Sequence, residues 1–206
     1  MKNRRKIKIT DHGAGSKIFK SDERRIMDIC KHSVKPAKYG QLLFRMVNYF
    51  KPETTLELGT SLGITTSYLG RAREKSRVIS VEGDPSIAKA AKSTLELTRT
   101  KNVNLKVGTF EHTLPAILEE VKTLDFLFID GHHEGQATIQ YFEMCLPYLH
   151  DKSVVVFDDI NWSDDMTNAW QSIIKKNEVK VSLDLYQMGV VFFRSELSKQ
   201  DYTLKF

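Results

Sequence analysis

Between residues 54 and 157 the chain alternates short apolar runs with longer amphipathic stretches, and this alternation restricts the fold more than any other feature. Five of the apolar runs have the length of buried strands, and the stretches between them have helical periodicity. Strands joined through a helix pair in parallel, because the connection crosses the face of the sheet. The pattern therefore predicts parallel strands at Thr54–Leu58, Arg77–Glu82, Val103–Val107, Leu124–Ile129 and 153–157.

The end of the chain follows a different pattern. Residues 179–185 and 190–194 form two strand-like runs, and the four residues between them leave no room for a crossover helix. Strands joined by so short a connection pair antiparallel. We therefore expect an α/β, Rossmann-like sheet of five parallel strands plus a C-terminal antiparallel hairpin, with helices on both faces.

Three segments carry the start signals of helices. Asp84 precedes Pro85, Pro115 opens the stretch PAILEEV, and Ser163 stands before two aspartates and MTNAWQSII. We expect a helix to begin at each of these points.

Two further helices are expected upstream, at residues 22–32 and 38–50, where apolar residues recur at helical spacing. No repeat or linker divides the chain. We therefore interpret residues 1–50 as a basic tail with a helical cap and residues 51–206 as the core, within one domain.

The composition is that of a folded globular domain, with 206 residues, 41% hydrophobic and 28% charged. Cys30 and Cys145 lie in apolar stretches and form no CxxC motif, which favours free thiols and a reducing, cytoplasmic location. The longest apolar runs are strand-sized, well below the roughly 18 residues of a membrane span. We expect no membrane partner.

The formal net charge of +5 is concentrated at the start of the chain. Residues 1–10 hold five basic side chains and no acid, and the rest balances 26 basic against 26 acidic residues. A domain that reads a duplex carries its positive charge on the fold itself. The distribution argues against nucleic acid as a partner.

The segment TLELGTSLGITTSYLG, residues 55–70, predicts a strand, a glycine turn and a helix that begins near Gly63. Gly59 would let a ligand lie against bare backbone, while N–H groups at the helix start face the same crevice. This arrangement suits a small cofactor that carries an anionic group. We then expect Gly59→Val to abolish cofactor binding and leave the fold largely intact. The alternative is a turn needed only for strand–helix packing.

Glu82 ends the second predicted strand, where a carboxylate can accept hydrogen bonds from both hydroxyls of a ribose. Its alternative is a solvated acid. The turn reads GTSLG and lacks the G-x-G-x-x-G pattern expected for NAD, so the two features favour another adenosine-type cofactor.

Three aspartates, Asp130, Asp158 and Asp159, follow the fourth and fifth strands, whose carboxyl ends share one sheet edge. Carboxylates gathered there would repel unless protonated, hydrated or bound to a cation. Alternatively, one orients a cofactor amine, another caps a loop, and no metal binds. His132 and His133 come next, and a histidine can accept a proton near neutral pH or merely line the loop.

In order along the chain, the segments ELGTSLG, VEGDP, GTFE, FIDGHH and FDDI and the terminal hairpin resemble class I S-adenosylmethionine-dependent methyltransferases. Within that superfamily the chain is most similar to the catechol O-methyltransferase-like branch, over residues 39–194. The resemblance implies a seven-stranded sheet with an inserted antiparallel strand. It also implies that the Gly59 turn holds the methionyl part of the cofactor, Glu82 the ribose, and the segment 108–111 the adenine.

The resemblance implies three sets of site residues. The cofactor-binding set is Glu57, Gly59, Ser61, Gly63, Glu82, Gly83, Thr109, Phe110 and Asp130. The metal set is Asp130, Asp158 and Asp159, where magnesium-dependent relatives have Asp, Asp and Asn. The catalytic set is Asp130, His133 and Asp158, because His133 stands where those relatives place a proton-accepting lysine.

The sequence therefore predicts S-adenosylmethionine-dependent O-methylation of a small hydroxylated molecule, with Mg²⁺ as an optional cofactor. Methylation of nitrogen or carbon, including RNA bases, and a noncatalytic cofactor-binding module are the alternatives. The chain lacks the Asn/Asp-Pro-Pro-Tyr type of motif of many amino-group methylators. Trp162 is a candidate wall of the acceptor pocket, and the loop at residues 11–16 is a candidate lid. Whether the chain forms a homo-oligomer whose second subunit completes the pocket stays open.

Overall fold

The structure is a computed structural model that describes residues 5–9, 23–33 and 36–206. Its strands are β1 (Lys6–Lys8), β2 (Glu23–Arg25), β3 (Thr54–Leu58), β4 (Arg77–Glu82), β5 (Val103–Val107), β6 (Leu124–Ile129), β7 (Leu149–Asp158), β8 (Val181–Asp184), β9 (Met188–Phe192) and β10 (Gln200–Thr203). Its α-helices are α1 (Ile26–Ser33), α2 (Ala37–Phe50), α3 (Ile64–Ala72), α4 (Pro85–Leu97), α5 (Phe110–Val121), α6 (Gly135–Cys145) and α7 (Asp164–Ile174).

The main sheet has the strand order β10-β8-β9-β7-β6-β3-β4-β5. Strands β3 to β7 are parallel, and β9 is antiparallel to both of its neighbours. The expected parallel sheet and the C-terminal hairpin are therefore confirmed. The chain leaves β3 for β4 on one side and later returns to β6 on the other, so the direction of the connections reverses between β3 and β6. In open α/β sheets, ligands bind at the carboxyl ends of the strands at such a point.

The sheet has eight strands, one more than expected. The additional strand is β10, which pairs in parallel with β8 at the edge of the sheet. All four of its residues are exposed, and its sequence QDYT contains no apolar run. Its pairing comes from backbone hydrogen bonding, which a search for apolar periodicity does not detect.

Helices cover both faces of the sheet, as expected. On one face the core is closed by α5, α6 and α7, through side chains such as Leu114, Phe142 and Trp170. On the other face α2 and α3 pack on the sheet, with Leu43 and Leu69 among the fully buried residues. A third cluster joins α1 and the segment after β1 to Leu62.

Two of the three expected helix starts are confirmed. The Asp84 carboxylate accepts a hydrogen bond from Ile87 N at 2.8 Å, and the Ser163 hydroxyl accepts one from Met166 N at 3.2 Å. The expectation for Pro115 is wrong, because α5 begins at Phe110 and contains Pro115 in its interior. Burial of side chains along α5 outweighs the one backbone hydrogen bond that the proline removes.

The helix expected at 38–50 is confirmed as α2. The expectation for 22–32 is partly wrong, since residues 23–25 form β2 and α1 begins at Ile26. Strand β2 pairs antiparallel with β1, so its backbone is committed to a ribbon. The loop at 11–16 lies outside the described residues.

Both cysteines are free, as the sequence favours, and burial raises the pKa of the Cys145 thiol to about 12. Among the described residues, no helix is both long and apolar enough to cross a membrane.

Candidate active site

Left-handed backbone conformations cluster at the carboxyl ends of β3, β6 and β7. Six residues at this edge have a positive φ: Gly59, Ser61, Gly63, His132, His133 and Asp159. Four of them carry a Cβ, which makes this conformation costly, and such costs concentrate at functional sites. The backbone conformations and the sequence motifs therefore indicate the same edge of the sheet as a candidate functional site.

The glycine turn after β3 is closed by backbone. Gly59 N and Thr60 N both donate to the carbonyl of Val81 in β4, at 3.0 and 3.1 Å. A Cβ on Gly59, which has a φ of 105°, would lie 1.9 Å from the carbonyl oxygen of Asp130. The expectation that Gly59→Val would leave the fold intact is therefore wrong, because backbone of the adjacent strand end fills that space.

Glu82 ends β4 and faces the glycine turn. Its carboxylate accepts hydrogen bonds from Ser61 N at 2.8 Å and from Asp84 N at 3.0 Å. Burial raises the pKa of Glu82, and the backbone N–H groups of Asp84, Ser61 and Gly83 oppose that rise. Each carboxylate oxygen accepts more than one hydrogen bond, so Glu82 retains capacity for ligand hydroxyls. The structure thus brings Ser61, Glu82 and Gly83 together.

Glu57 lies behind the turn, where no solvent reaches it. The hydroxyls of Thr66 and Ser80 both donate to its Oε2 atom at 2.5 Å, whereas its Oε1 atom has no hydrogen-bond partner among the described residues. Burial raises the pKa of Glu57 to about 7 against the effect of these two hydrogen bonds. Any effect of Glu57 on a cofactor would be indirect, through the position of the turn.

An aromatic group lies beside the turn at the start of α5. The ring of Phe110 meets that of Tyr141 edge-on at 5.3 Å and lies 6.3 Å from that of His132. The Tyr141 hydroxyl donates to the carboxylate of Glu111, and this bond lowers the pKa of Glu111. Burial and the same hydrogen bond raise the pKa of Tyr141. The same hydroxyl lies 3.4 Å from His132 Nδ1.

Within this group, sequence reasoning missed Tyr141. It lies within an apolar stretch of α6, so nothing in its spacing marks it as part of a site. The neighbouring Thr109 hydroxyl, in the expected adenine segment, hydrogen bonds with His112 Nδ1 at 2.8 Å.

The side chains of His133 and Asp159, which follow β6 and β7, form a pair. His133 Nδ1 lies 3.7 Å from Asp159 Oδ2. Asp158 is buried at the end of β7, and Asp130 N donates to the carbonyl of Leu58. Within the described ranges, no three His, Cys, Asp or Glu side chains are grouped so that they could hold a metal ion.

Two exposed aromatic side chains border this edge. Trp162 is 62% exposed and Tyr186 73%. Trp162 N donates to the Asp159 carbonyl at 2.9 Å, and the Asn161 side chain donates to the Tyr186 carbonyl at 2.8 Å. These bonds hold both loops beside the His133–Asp159 pair.

The chain is similar to known proteins in sequence and in fold. The sequence model of the methyltransferase domain family matches residues 56–160, from β3 to just beyond β7. A protein of Niastella koreensis named catechol O-methyltransferase is 29% identical over 131 residues, 62% of this chain. The match spans 58% of that relative, and the chain spans under two thirds of the length of the curated relatives it matches.

Solved structures share the fold. The O-methyltransferase of Bacillus cereus in complex with SAH superposes with a TM-score of 0.69 at 21% identity, covering 81% of this chain and 90% of that one. An O-methyltransferase of Streptomyces achromogenes involved in tomaymycin synthesis, in complex with SAM, superposes with a TM-score of 0.70 at 19% identity. It covers 82% of this chain and 87% of that one. At these identities the likeness concerns the fold alone.

Proposed function

The chain belongs to the methyltransferase domain family, and on that premise we propose that it is an S-adenosylmethionine-dependent O-methyltransferase acting on a small hydroxylated molecule. One observation carries the proposal. The glycine turn bonded to Glu82 and the His133–Asp159 pair share one edge of the sheet. The first can hold an adenosine-type cofactor and the second can accept a proton, which are the two requirements of methyl transfer to a hydroxyl group.

The residues around the turn fit S-adenosylmethionine. Glu82 offers acceptors for ribose hydroxyls, and the partly buried ring of His132, which lies beside the buried ring of Phe110, offers a face on which adenine could stack. When bound, the cofactor would supply a methyl group activated by a sulfonium. The residues proposed to contact it are Gly59, Ser61, Gly63, Glu82, Gly83, Thr109, Phe110 and Asp130, and Glu57 supports the turn from behind.

We propose that His133 removes the hydroxyl proton of the methyl acceptor. Methyl transfer is an in-line displacement, so the protein must align the acceptor oxygen, exclude water and remove the hydroxyl proton. His133 accepts that proton, and Asp159 stabilises the resulting imidazolium across the 3.7 Å gap. Asp130, after β6, orients the cofactor, and Asp158, which is buried at the end of β7, acts on the site through the position of that strand end.

The acceptor is best taken to be a small aromatic hydroxyl compound. Trp162 and Tyr186 are exposed aromatic residues on the two loops that border this edge, and a flat phenolic ring could lie against such side chains. The name of the Niastella koreensis relative supports the same class of acceptor. A second copy of the chain could close the open side of this surface, which measurement of the oligomeric state with acceptor present would reveal.

A metal-assisted reaction is the second candidate. The three carboxylates after β6 and β7 favour it, since oxygen ligands suit Mg²⁺. The described geometry fits it less well, because Asp159 lies against His133 and no three-ligand group is formed.

The test begins with isothermal titration of the protein with S-adenosylmethionine. Incubation with catechol, phenols and hydroxy acids then follows, with detection of the methylated product by mass spectrometry. We expect binding and an O-methylated phenolic product. Absence of binding would overturn the cofactor proposal, and failure of every catechol and phenol to be O-methylated by a protein that binds the cofactor would overturn the acceptor proposal.

A further inference from the structure

The surface between α4 and the outer edge of β5 is strongly basic, although the chain beyond its first ten residues is neutral overall. Four exposed basic residues lie here and form no ion pair with any described residue: Lys89, Lys92, Arg99 and Lys101. Glu96 is the one acidic residue among them. Basic and acidic side chains are therefore unevenly distributed over the folded surface, which the balanced composition does not show.

These basic residues border a groove of about 760 Å³, which we call the α4–β5 groove. Its floor is apolar and includes Leu95, Leu105 and Val107. Val107 is 51% exposed, and no residue in the lining of the groove is aromatic. A ligand that fits it therefore combines negative charge with apolar groups and needs no stacking surface.

The outer edge of β5 offers unpaired backbone groups. Within the described chain β5 pairs only with β4. The Asn102 carbonyl accepts from Val78 N and Gly108 N donates to the Glu82 carbonyl, so even-numbered residues turn their backbone groups toward β4. Backbone groups alternate sides along a strand, which leaves those of residues 103, 105 and 107 facing outward.

The loop that carries two of the basic residues is held in place before any partner binds. Arg99, with a φ of 55°, ends α4 by donating its N–H to the Glu96 carbonyl, and Thr100 N donates to the Leu95 carbonyl at 2.9 Å. The Asn102 side chain donates to two carbonyls before β4. A fixed loop loses little conformational entropy on binding, which favours recognition.

We propose that the α4–β5 groove binds an acidic, extended segment of a partner protein, which adds to the sheet as a strand beside β5. The open backbone edge of β5 can pair with the main chain of such a segment. The apolar floor of the groove can accept its alternate apolar side chains, and the basic residues at the rim can bind its carboxylates. A second copy of this chain that paired through its own β5 edge would bring like charges together. A single-stranded RNA would find phosphate contacts and no aromatic ring on which to stack its bases.

The experiment uses a fluorescein-labelled peptide of alternating Glu and Val, about ten residues long, with fluorescence anisotropy as readout. A peptide with Lys in place of Glu and labelled polyuridylate are the comparison probes. We expect the acidic peptide to bind the wild type and the Lys peptide not to bind. Charge reversal with R99E and K101E should weaken binding at least about tenfold.

A matched pair of variants tests strand addition. Leu105→Pro removes one outward N–H and keeps the bonds to β4, whereas Leu105→Ala shortens the same side chain and keeps the N–H. We expect the proline variant to lose binding and the alanine variant to retain it, with circular dichroism melts verifying that each is folded. If the proline variant does not fold, the charge-reversal variant decides. Failure of the peptide to bind wild type, equal binding to the charge-reversal variant, or tighter binding of polyuridylate would each overturn the proposal.

Discussion

At the scale of single residues, the carboxylate of Glu82 combines a structural role with a proposed role in cofactor binding. Its carboxylate fixes the turn through Ser61 N and, in our proposal, accepts the ribose hydroxyls. Glu82→Ala removes both roles and should weaken S-adenosylmethionine binding by roughly 1.5–3 kcal/mol, the loss of charge-assisted hydrogen bonds. Glu82→Gln keeps one acceptor oxygen and should lose less. Titration calorimetry measures both, and unchanged affinity in the alanine variant would return Glu82 to a purely structural role.

His133 and His132 are adjacent yet should respond differently to substitution. His133→Ala removes the proposed base and should lower kcat about 10²-fold or more and abolish the acidic limb of the pH–rate profile. His132→Ala is the matched control. It removes a ring beside Phe110, so it should weaken cofactor binding and preserve the limb. A fully active His133→Ala variant would contradict the assignment and leave water as the proton acceptor.

Glu57 makes stability depend on pH in a predictable direction. Its pKa is raised by burial from 4.5 to about 7, so folding favours the protonated carboxyl. Its contribution is fully present below pH 4.5 and is lost as pH rises through about 7. The glutamine in Glu57→Gln stays neutral at every pH. The free energy of unfolding of this variant, relative to that of the wild type, should therefore rise by about 3 kcal/mol between pH 4.5 and a pH above 7. Urea denaturation of both proteins measures the difference, and a gap independent of pH would refute the account.

At the scale of elements, the glycine turn after β3 is a packing device as well as a candidate binding loop. A Cβ at residue 59 would meet the Asp130 carbonyl, so Gly59→Ala should lower the free energy of unfolding by more than about 2 kcal/mol. Ser61 is the control, because it has a positive φ and already carries a Cβ. Ser61→Ala should leave the melting temperature nearly unchanged. Equal melting temperatures for wild type and the Gly59 variant would show that the turn can open.

Elements defined by apolar burial were predictable from the sequence, and elements defined by backbone pairing were not. The runs that became β3, β4 and β6 are buried and apolar, whereas β2 and β10 are short, polar strands paired through their backbones. Pro115 gave a false helix start because the helix already begins at Phe110. The burial of Phe110 and Leu114, which extends α5 toward its N-terminus, cannot be predicted from the proline. In the candidate site, the motifs predicted Glu82 and His133, but the contact of Tyr141 with Glu111 depends on how α5 packs on α6.

At the scale of the whole molecule, the candidate site lies at the carboxyl ends of β3 and its neighbours in the sheet, β4 and β6. The residues of the site come from segments that are far apart in sequence. The glycine turn, Glu82, Asp130 and Asp159 come from four different strand ends, and only the folded sheet brings them to one edge. A ligand that contacts several of these ends binds the native state alone. S-adenosylmethionine at about 100 times its Kd should then stabilise the fold by about 2.7 kcal/mol.

The same linkage separates the two candidate mechanisms of proton removal. Because Asp159 lies against His133, we expect Mg²⁺ alone to leave the melting temperature unchanged and EDTA to leave turnover unchanged, while S-adenosylmethionine raises the melting temperature. If Mg²⁺ instead raises the melting temperature, Asp158→Ala abolishes that response and EDTA stops turnover, the carboxylates hold a cation. A histidine base needs no divalent ion to accept the hydroxyl proton, so turnover that depends on Mg²⁺ would show that the bound cation assists proton removal.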